Sequence, residues 1–202
     1  MFQNIIFDLG GVLLNLDTAK TRNSFISLGI THIDELFRIG HAGSFFKDYE
    51  VGAISDEQFV DEALKLARPG TTRQAIIDAW NAMLLDFPAE RVALLQQLKT
   101  RYRVFLFSNT NSLHLHCFQN SFREVHGIPM DSLFEKAWYS HVINLRKPDV
   151  AAFEFVVKES GLHAADTLFI DDALVNVEGA RAAGLQAVHL EPGKSIMDLN
   201  IE

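Results

Sequence analysis

Four short polar segments of this chain contain residue types that could carry out chemistry. Carboxylates can act as nucleophiles or hold a hard cation, hydroxyl and amide groups can bind anion oxygens, and a lysine can neutralise negative charge. Taken singly, each segment could equally be a turn, a helix cap or a solvated charge pair. The segments are Asp8-Leu9-Gly10-Gly11, Ser108-Asn109-Thr110-Asn111, Arg146-Lys147 and Asp171-Asp172.

The elements that must position these segments are short apolar strands separated by helices. Five apolar runs are typical of buried parallel strands, at residues 4–8, 103–108, 136–140, 167–171 and 186–190. Amphipathic patterns predict helices over 88–100, 149–160 and 173–183, the last two closed by Gly161 and Gly184. This alternation predicts a Rossmann-like, doubly wound α/β sheet, which binds ligands at the carboxyl ends of its strands.

One interval, residues 16–87, breaks the alternation because it contains no convincing strand. Ser55-x-x-Gln58 and Thr71-x-x-Gln74 are both capping-box patterns, and a helical stripe of apolar residues follows each of them. We therefore predict a catalytic core formed by residues 1–15 and 88–202, with an α-helical cap inserted at residues 16–87. An insertion after the first strand would lie beside the ligand-binding edge.

Composition limits the partners and the surroundings of the protein. The 202 residues carry a formal net charge of −8, which argues against nucleic acid or an anionic membrane as partner. The single cysteine, Cys117, excludes an internal disulfide framework and a cysteine metal cluster, and we expect an inert thiol. The N-terminus has no basic residues, and Asp8 interrupts its apolar run, so we expect no targeting segment and a cytoplasmic protein.

Taken in order, the four polar segments resemble the four motifs of the haloacid dehalogenase-like hydrolases, a superfamily of aspartate-nucleophile phosphatases. The helical interval resembles the cap that this family carries between its first two motifs. Three stretches are particularly similar to bacterial sugar-phosphate phosphatases, including those that act on glucose 1-phosphate. These stretches are Ser108–Asn111 with His114, Arg146-Lys147-Pro148, and Gly52–Asp56.

The resemblance implies a site and a reaction. In the family's strand order the first strand lies between the second and fourth, so their polar ends would share one crevice. The implied substrate is a small phosphorylated metabolite, and the implied cofactor is Mg²⁺. The implied roles are nucleophile (Asp8), charge neutralisation (Lys147), binding of phosphoryl oxygens (Ser108 and the Asn109 amide), metal ligation (Asp8, the Gly10 carbonyl and Asp172) and support of metal-bound water (Asp171).

Gly10 departs from the family pattern, which usually has a second aspartate at this position as general acid and base. The leaving group could be stabilised already, a cap residue or water could handle the proton, or the protein could bind a phosphorylated ligand without turnover. Dehalogenase relatives also lack this aspartate, but they lack the acid pair that Asp171 and Asp172 form here. A phosphosugar mutase is a further alternative, disfavoured because mutases depend on reversible proton transfer.

Two residues of the helical interval are candidates for substrate contact, His41 and Lys47. Both fall in residues 38–49, where caps of the family often reach the substrate, and a histidine can supply a proton near neutral pH. An ordinary surface position or packing between cap and core would explain the same residues. The sequence leaves the oligomeric state open.

Overall fold

The fold is organised around one five-stranded parallel sheet. The structure, a computed structural model, describes residues 2–34, 45–199 and 201. The strand order is β3-β2-β1-β4-β5, and every neighbouring pair is parallel. This confirms the predicted α/β fold class and places all five strands within one residue of the predicted runs. The strands are β1 (Asn4–Phe7), β2 (Arg103–Ser108), β3 (Lys136–Tyr139), β4 (Thr167–Asp171) and β5 (Gln186–His189).

Nine α-helices are found in the described part of the chain. Five of them follow β1 before the chain re-enters the sheet at β2, and the other four connect or follow β2, β3 and β4. The helices are α1 (Thr18–Ser27), α2 (Phe45–Glu50), α3 (Asp56–Leu66), α4 (Arg73–Asn81), α5 (Ala89–Leu98), α6 (Ser112–His126), α7 (Ser140–Ile143), α8 (Val150–Glu159) and α9 (Leu174–Ala182).

Helices cover both faces of the sheet because successive strand residues point to opposite sides. Ile5 and Phe7 belong to a buried cluster that includes residues of α5 and α6, whereas Ile6 belongs to a second cluster with residues of α8 and α9. Both faces are therefore apolar, which explains why the strands read as nearly continuous hydrophobic runs rather than as an alternating pattern. Polar residues are left for the strand ends.

Helices α1 to α4 have a buried cluster of their own, centred on Phe25, Phe59 and Trp80. The described residues between 16 and 87 contain no strand, only an isolated bridge between Leu16 and Leu84. In the part of the chain that the structure describes, no helix has the length and apolar character needed to span a membrane.

One of the two predicted capping boxes is confirmed and the other is wrong. Ser55 caps α3 reciprocally with Gln58. Helix α4 is instead capped by Thr72, whose hydroxyl accepts a hydrogen bond from the Ala75 amide, while the Thr71 hydroxyl donates to the preceding turn. Thr71 and Thr72 are both suitable helix caps, and the capping-box pattern predicted Thr71 where the structure has Thr72.

Candidate active site

The site begins where β1 ends, at the centre of the sheet. Phe7 lies in register between Leu106 of β2 and Ile170 of β4, and the Asp8 amide continues the ladder by donating to the Ile170 carbonyl at 2.9 Å. Asp8 therefore lies at the carboxyl end of the sheet, between β2 and β4. The sheet topology explains why residues from distant parts of the sequence meet here.

Gly11 lets the turn after β1 approach β4 closely. Its φ is +74°, and a Cβ at this position would lie 2.2 Å from Oδ2 of Asp172. Any other residue would be strained in this conformation and would collide with the Asp172 carboxylate. The glycine is needed for the backbone of the first polar segment to lie against the acids of the fourth.

Three carboxylates converge at this point. One oxygen from each of Asp8, Asp171 and Asp172 lies within 4.8 Å of the other two. Asp8 is 8% exposed and Asp171 is fully buried, whereas Asp172 is exposed. Three acids at this spacing repel one another unless positive charge lies between them. An oxygen-rich donor set of this kind suits a hard divalent cation such as Mg²⁺.

Part of the required positive charge is built into the chain as Lys147. Its side chain is 1% exposed, and Nζ lies 2.7 Å from Oδ1 of Asp8 and 2.6 Å from Oδ2 of Asp171. Burial lowers the pKa of Lys147, but the two carboxylates raise it further, so the pKa lies above its usual value and the ammonium stays charged. The resemblance to the family did not by itself imply the contact with Asp171.

Burial changes the pKa values of the Asp8 and Asp172 carboxyl groups. Burial raises the pKa of Asp8 to about 7, against the lowering effect of Lys147, and the charge of Asp171 adds to the rise. Burial likewise raises the pKa of Asp172, with Asp171 acting in the same direction. Without a cation the cluster therefore favours protonation, and a bound divalent ion would favour the fully ionised form.

The backbone of Lys147 is fixed by the second polar segment. The side-chain amide of Asn109 donates to the Lys147 carbonyl at 2.9 Å, and the Lys147 amide donates to Oδ1 of Asn109 at 3.0 Å. The following Lys147–Pro148 bond is cis, and a Cβ on Gly179 of α9 would lie 2.3 Å from the Pro148 carbonyl. The Asn109 side chain is therefore occupied in holding the loop that carries Lys147.

Asp171 is held from the opposite side. Its carboxylate accepts hydrogen bonds from the Ala173 amide at 2.8 Å and from the Asn176 side chain at 3.0 Å to each oxygen. With Lys147 this makes a buried carboxylate whose acceptors are satisfied within the protein. Asp171 is fixed in place and has little freedom to move toward a ligand.

Ser108 ends β2, is 3% exposed, and its hydroxyl makes no hydrogen bond to the described residues. It lines a cavity of about 120 Å³ between the strand ends and helices α2 and α4. The lining combines apolar side chains with hydroxyl, amide and carboxylate groups: Leu9, Gly10, Leu14, Leu16, Glu50, Trp80, Met83, Leu84, Ser108, Asn109, Thr110, Asn111, His114 and Phe118. We call this space the site cavity.

His114 belongs to the wall of the site cavity. Its ring stacks on Trp80 at 4.5 Å between centroids, and its Nε2–H donates to the Trp80 carbonyl at 3.0 Å. Burial lowers the pKa of His114 to about 4, against a smaller opposing effect of that hydrogen bond. The imidazole is neutral at physiological pH and connects α4 to α6.

The two substrate contacts predicted in the helical interval, His41 and Lys47, stay predictions. His41 lies outside the described residues. Lys47 is exposed on α2 and does not belong to the lining of the site cavity. The residue of α2 that does line the cavity is Glu50, which the sequence reading overlooked. The sequence feature that could have drawn attention to Glu50 is its position, two residues before the Gly52–Asp56 stretch that is similar to sugar-phosphate phosphatases.

A family model described as haloacid dehalogenase-like hydrolase matches residues 2–184. The chain belongs to the haloacid dehalogenase-like hydrolases. The resemblance inferred from the four polar segments is thereby confirmed.

Several known proteins match nearly the whole chain. D-ribitol-5-phosphate phosphatase of Bacteroides thetaiotaomicron is 27% identical over 96% of this chain and 94% of that protein. The sesquiterpene phosphatase astK of Aspergillus oryzae is 30% identical over 94% of this chain and 90% of that protein. The crystal structure of a Bacteroides thetaiotaomicron haloacid dehalogenase family enzyme, in complex with magnesium and inorganic phosphate, is 29% identical, covers 96% of both chains and gives a TM-score of 0.89.

Proposed function

We propose that this hydrolase is a Mg²⁺-dependent phosphatase that removes phosphate from a small phosphomonoester, a sugar phosphate, through an aspartyl-phosphate on Asp8. The observation that carries the proposal is the position of the Asp8 carboxylate. One of its oxygens contacts the buried Lys147 ammonium at 2.7 Å, and the carboxylate lies within 4.8 Å of Asp171 and Asp172. Such a group is both a positioned nucleophile and part of a cation site.

The donor set fits magnesium. Asp8, the Gly10 carbonyl and Asp172 would hold the ion, and Asp171 would support its water ligands from behind. The charges agree, because three carboxylates and one ammonium leave a net charge of −2 when all are ionised, which one divalent ion balances. The close approach of Gly11 to Asp172 keeps the two halves of this donor set together. When bound, the cation would supply charge neutralisation for the phosphoryl oxygens.

The protein groups divide the remaining work. Asp8 attacks phosphorus in line with the ester oxygen, forms the aspartyl-phosphate and releases the alcohol. Lys147 holds the attacking carboxylate and offsets the repulsion between it and the phosphate dianion. The unpaired Ser108 hydroxyl and the Asn109 backbone amide bind phosphoryl oxygens. Water then attacks the phosphoenzyme, which returns Asp8 and releases inorganic phosphate.

The helices between β1 and α5 support a role as a cap over this site. We propose that residues 16–87 form the cap of a core made of residues 1–15 and 88–202. Trp80 of α4 donates to Asn111 at 3.2 Å, and the amide of Leu113 donates to the Tyr49 hydroxyl of α2 at 3.1 Å. The site cavity, of about 120 Å³, lies between the two parts and is too small to admit a polymer. Phosphatases of phosphorylated small molecules among the relatives agree with this substrate class.

The test is release of inorganic phosphate by purified protein from a panel of phosphorylated sugars and sugar alcohols, with Mg²⁺ and with chelator. We expect turnover only with Mg²⁺ and its loss in Asp8→Asn. The matched control Asp78→Asn, at an exposed position of α4, should retain full activity. Turnover that persists in chelator or in Asp8→Asn would refute the mechanism. Product analysis separates hydrolysis from transfer to a second hydroxyl, which a mutase would show.

A phosphate-binding protein without turnover is the second candidate, and one observation favours it. A Cβ on Gly10 would lie 2.6 Å from the terminal methyl of Leu16, so a neighbouring side chain fills the space where the family's general acid usually stands. For a phosphate-binding protein without turnover, Mg²⁺ with inorganic phosphate should raise the melting temperature while no ester of the panel is hydrolysed.

A further inference from the structure

The missing general acid leaves a chemical requirement that the rest of the site does not meet. When a phosphate ester is cleaved, the electron pair of the breaking P–O bond goes to the leaving oxygen, and an alcohol leaves far more easily if a proton arrives with it. Gly10 has no side chain, and Leu16 fills the adjoining space. The Lys147 ammonium donates hydrogen bonds to Asp8 and Asp171, and the His114 ring donates to the Trp80 carbonyl, so both groups are already occupied.

Glu50, at the C-terminal end of α2, is a carboxyl group in the wall of the site cavity together with Gly10 and Ser108. Its side chain is 31% exposed and lies 3.0 Å from Nη2 of Arg146. Glu50 therefore shares a cavity with Gly10 and Ser108, two residues to which the proposed mechanism assigns ligand contacts.

Two hydrogen bonds and one close backbone approach attach residues 50–52 to the core. The fully buried Ser140 donates to the Glu50 carbonyl at 2.6 Å, and the Asn144 side chain donates to the Val51 carbonyl at 2.8 Å. Gly52 has a φ of +69°, and a Cβ there would lie 2.2 Å from the His141 carbonyl. These contacts fix the end of α2 against helix α7 and its C-cap Asn144, so Glu50 is held in place as a catalytic group must be.

The electrostatic surroundings suit a proton donor. Burial raises the pKa of Glu50, while Arg146 and Lys147 lower it. A bound phosphate dianion would add negative charge beside the carboxyl group and favour its protonated form further. Arg146, in turn, forms an ion pair with the carboxyl group at 3.0 Å and so acts as a positioning residue.

We propose that Glu50 is the general acid and base that replaces the aspartate missing at position 10. In the first step the P–O bond to the alcohol breaks, Asp8 forms the new bond to phosphorus, and the Glu50 proton goes to the leaving oxygen. In the second step water attacks the phosphoenzyme, gives its proton to the Glu50 carboxylate, and Asp8 leaves. Glu50 ends the cycle protonated, as it began. This inference rests on the proposed phosphatase activity.

The experiment compares two esters that differ in their need for a proton. An alkyl ester such as a sugar phosphate has a poor leaving group, whereas an aryl phosphate with an acidic phenol needs little protonation. In Glu50→Gln, kcat/KM should fall by about 10²–10⁴-fold for the alkyl ester and by less than about tenfold for the aryl ester. The ratio kcat/KM is the readout because it reports the step in which the alcohol leaves.

Two controls separate catalysis from structure. Asp48→Asn changes a carboxylate of the same helix that does not line the site cavity, and it should leave both kcat/KM values unchanged. Melting temperatures of both variants show whether the end of α2 stays docked. An equal loss for the two esters, or no loss for either, would overturn the role of Glu50 while wild-type turnover upholds the phosphatase. Absence of wild-type turnover of either ester would overturn the proposed function itself.

Discussion

Replacing Lys147 with methionine removes the ammonium between two buried carboxylates while keeping most of the side-chain volume. Nζ contacts Asp8 at 2.7 Å and Asp171 at 2.6 Å, and Lys147 and Asp171 are respectively 1% and 0% exposed. Removing one partner of a buried ion pair costs about 3–5 kcal/mol because the other charge stays buried without compensation. In a chain of this size each kcal/mol corresponds to about 2–4 °C in melting temperature, so we expect a decrease of about 6–20 °C.

The assay is thermal or denaturant unfolding at pH 8 in the presence of chelator, where no added cation can replace the ammonium. The matched control is Lys65→Met, which removes an exposed pair with Glu62 and should cost no more than about 1 kcal/mol. Adding Asp171→Asn to Lys147→Met should recover part of the lost stability, because one of the uncompensated charges is then gone. A Lys147→Met variant with the wild-type melting temperature would refute the ion-pair account.

Two further predictions concern the wall of the site. Because the folded-state pKa of His114, about 4, lies below its unfolded value of 6.5, the wild type should lose about 2 kcal/mol of unfolding free energy more than His114→Gln between pH 7 and pH 5; equal losses in urea titrations would contradict this. Gly179→Ala should cost about 1–3 kcal/mol and lower kcat, because its methyl would displace Pro148 and with it Lys147. Glu178→Ala, exposed on the same helix, should lower neither quantity.

The sheet and most of its helices were predictable because the strands are buried on both faces. A strand of this kind reads as a short apolar run, and the polar residue that ends it marks the sheet edge. The same feature made Asp8, Ser108 and Asp171 recognisable as strand-end residues. Their convergence followed from the family's strand order, which the structure reproduces with β1 between β2 and β4.

Contacts made by short segments were not predictable in this way. Helix α2 has six residues, too few for an apolar stripe to fix which side faces the cavity, and Glu50 rather than Lys47 proves to line it. The partner of Glu50 is Arg146, which lies in the loop between α7 and α8 and is brought near only by the folded backbone. The Asn109 side chain is a similar case, because its hydrogen bonds go to the backbone of Lys147 and not to open space.

The central claim is that Asp8 takes the phosphoryl group, and the most direct test is to trap the phosphoenzyme. The protein is mixed with Mg²⁺ and an intact phosphomonoester that it hydrolyses. The mixture is quenched in acid at short times, digested and examined by mass spectrometry. The account predicts one phosphoryl adduct on Asp8 that is cleaved by hydroxylamine and is missing from Asp8→Asn and from chelated samples. Turnover with no adduct on Asp8 at any quench time, or with the adduct on another residue, would contradict it.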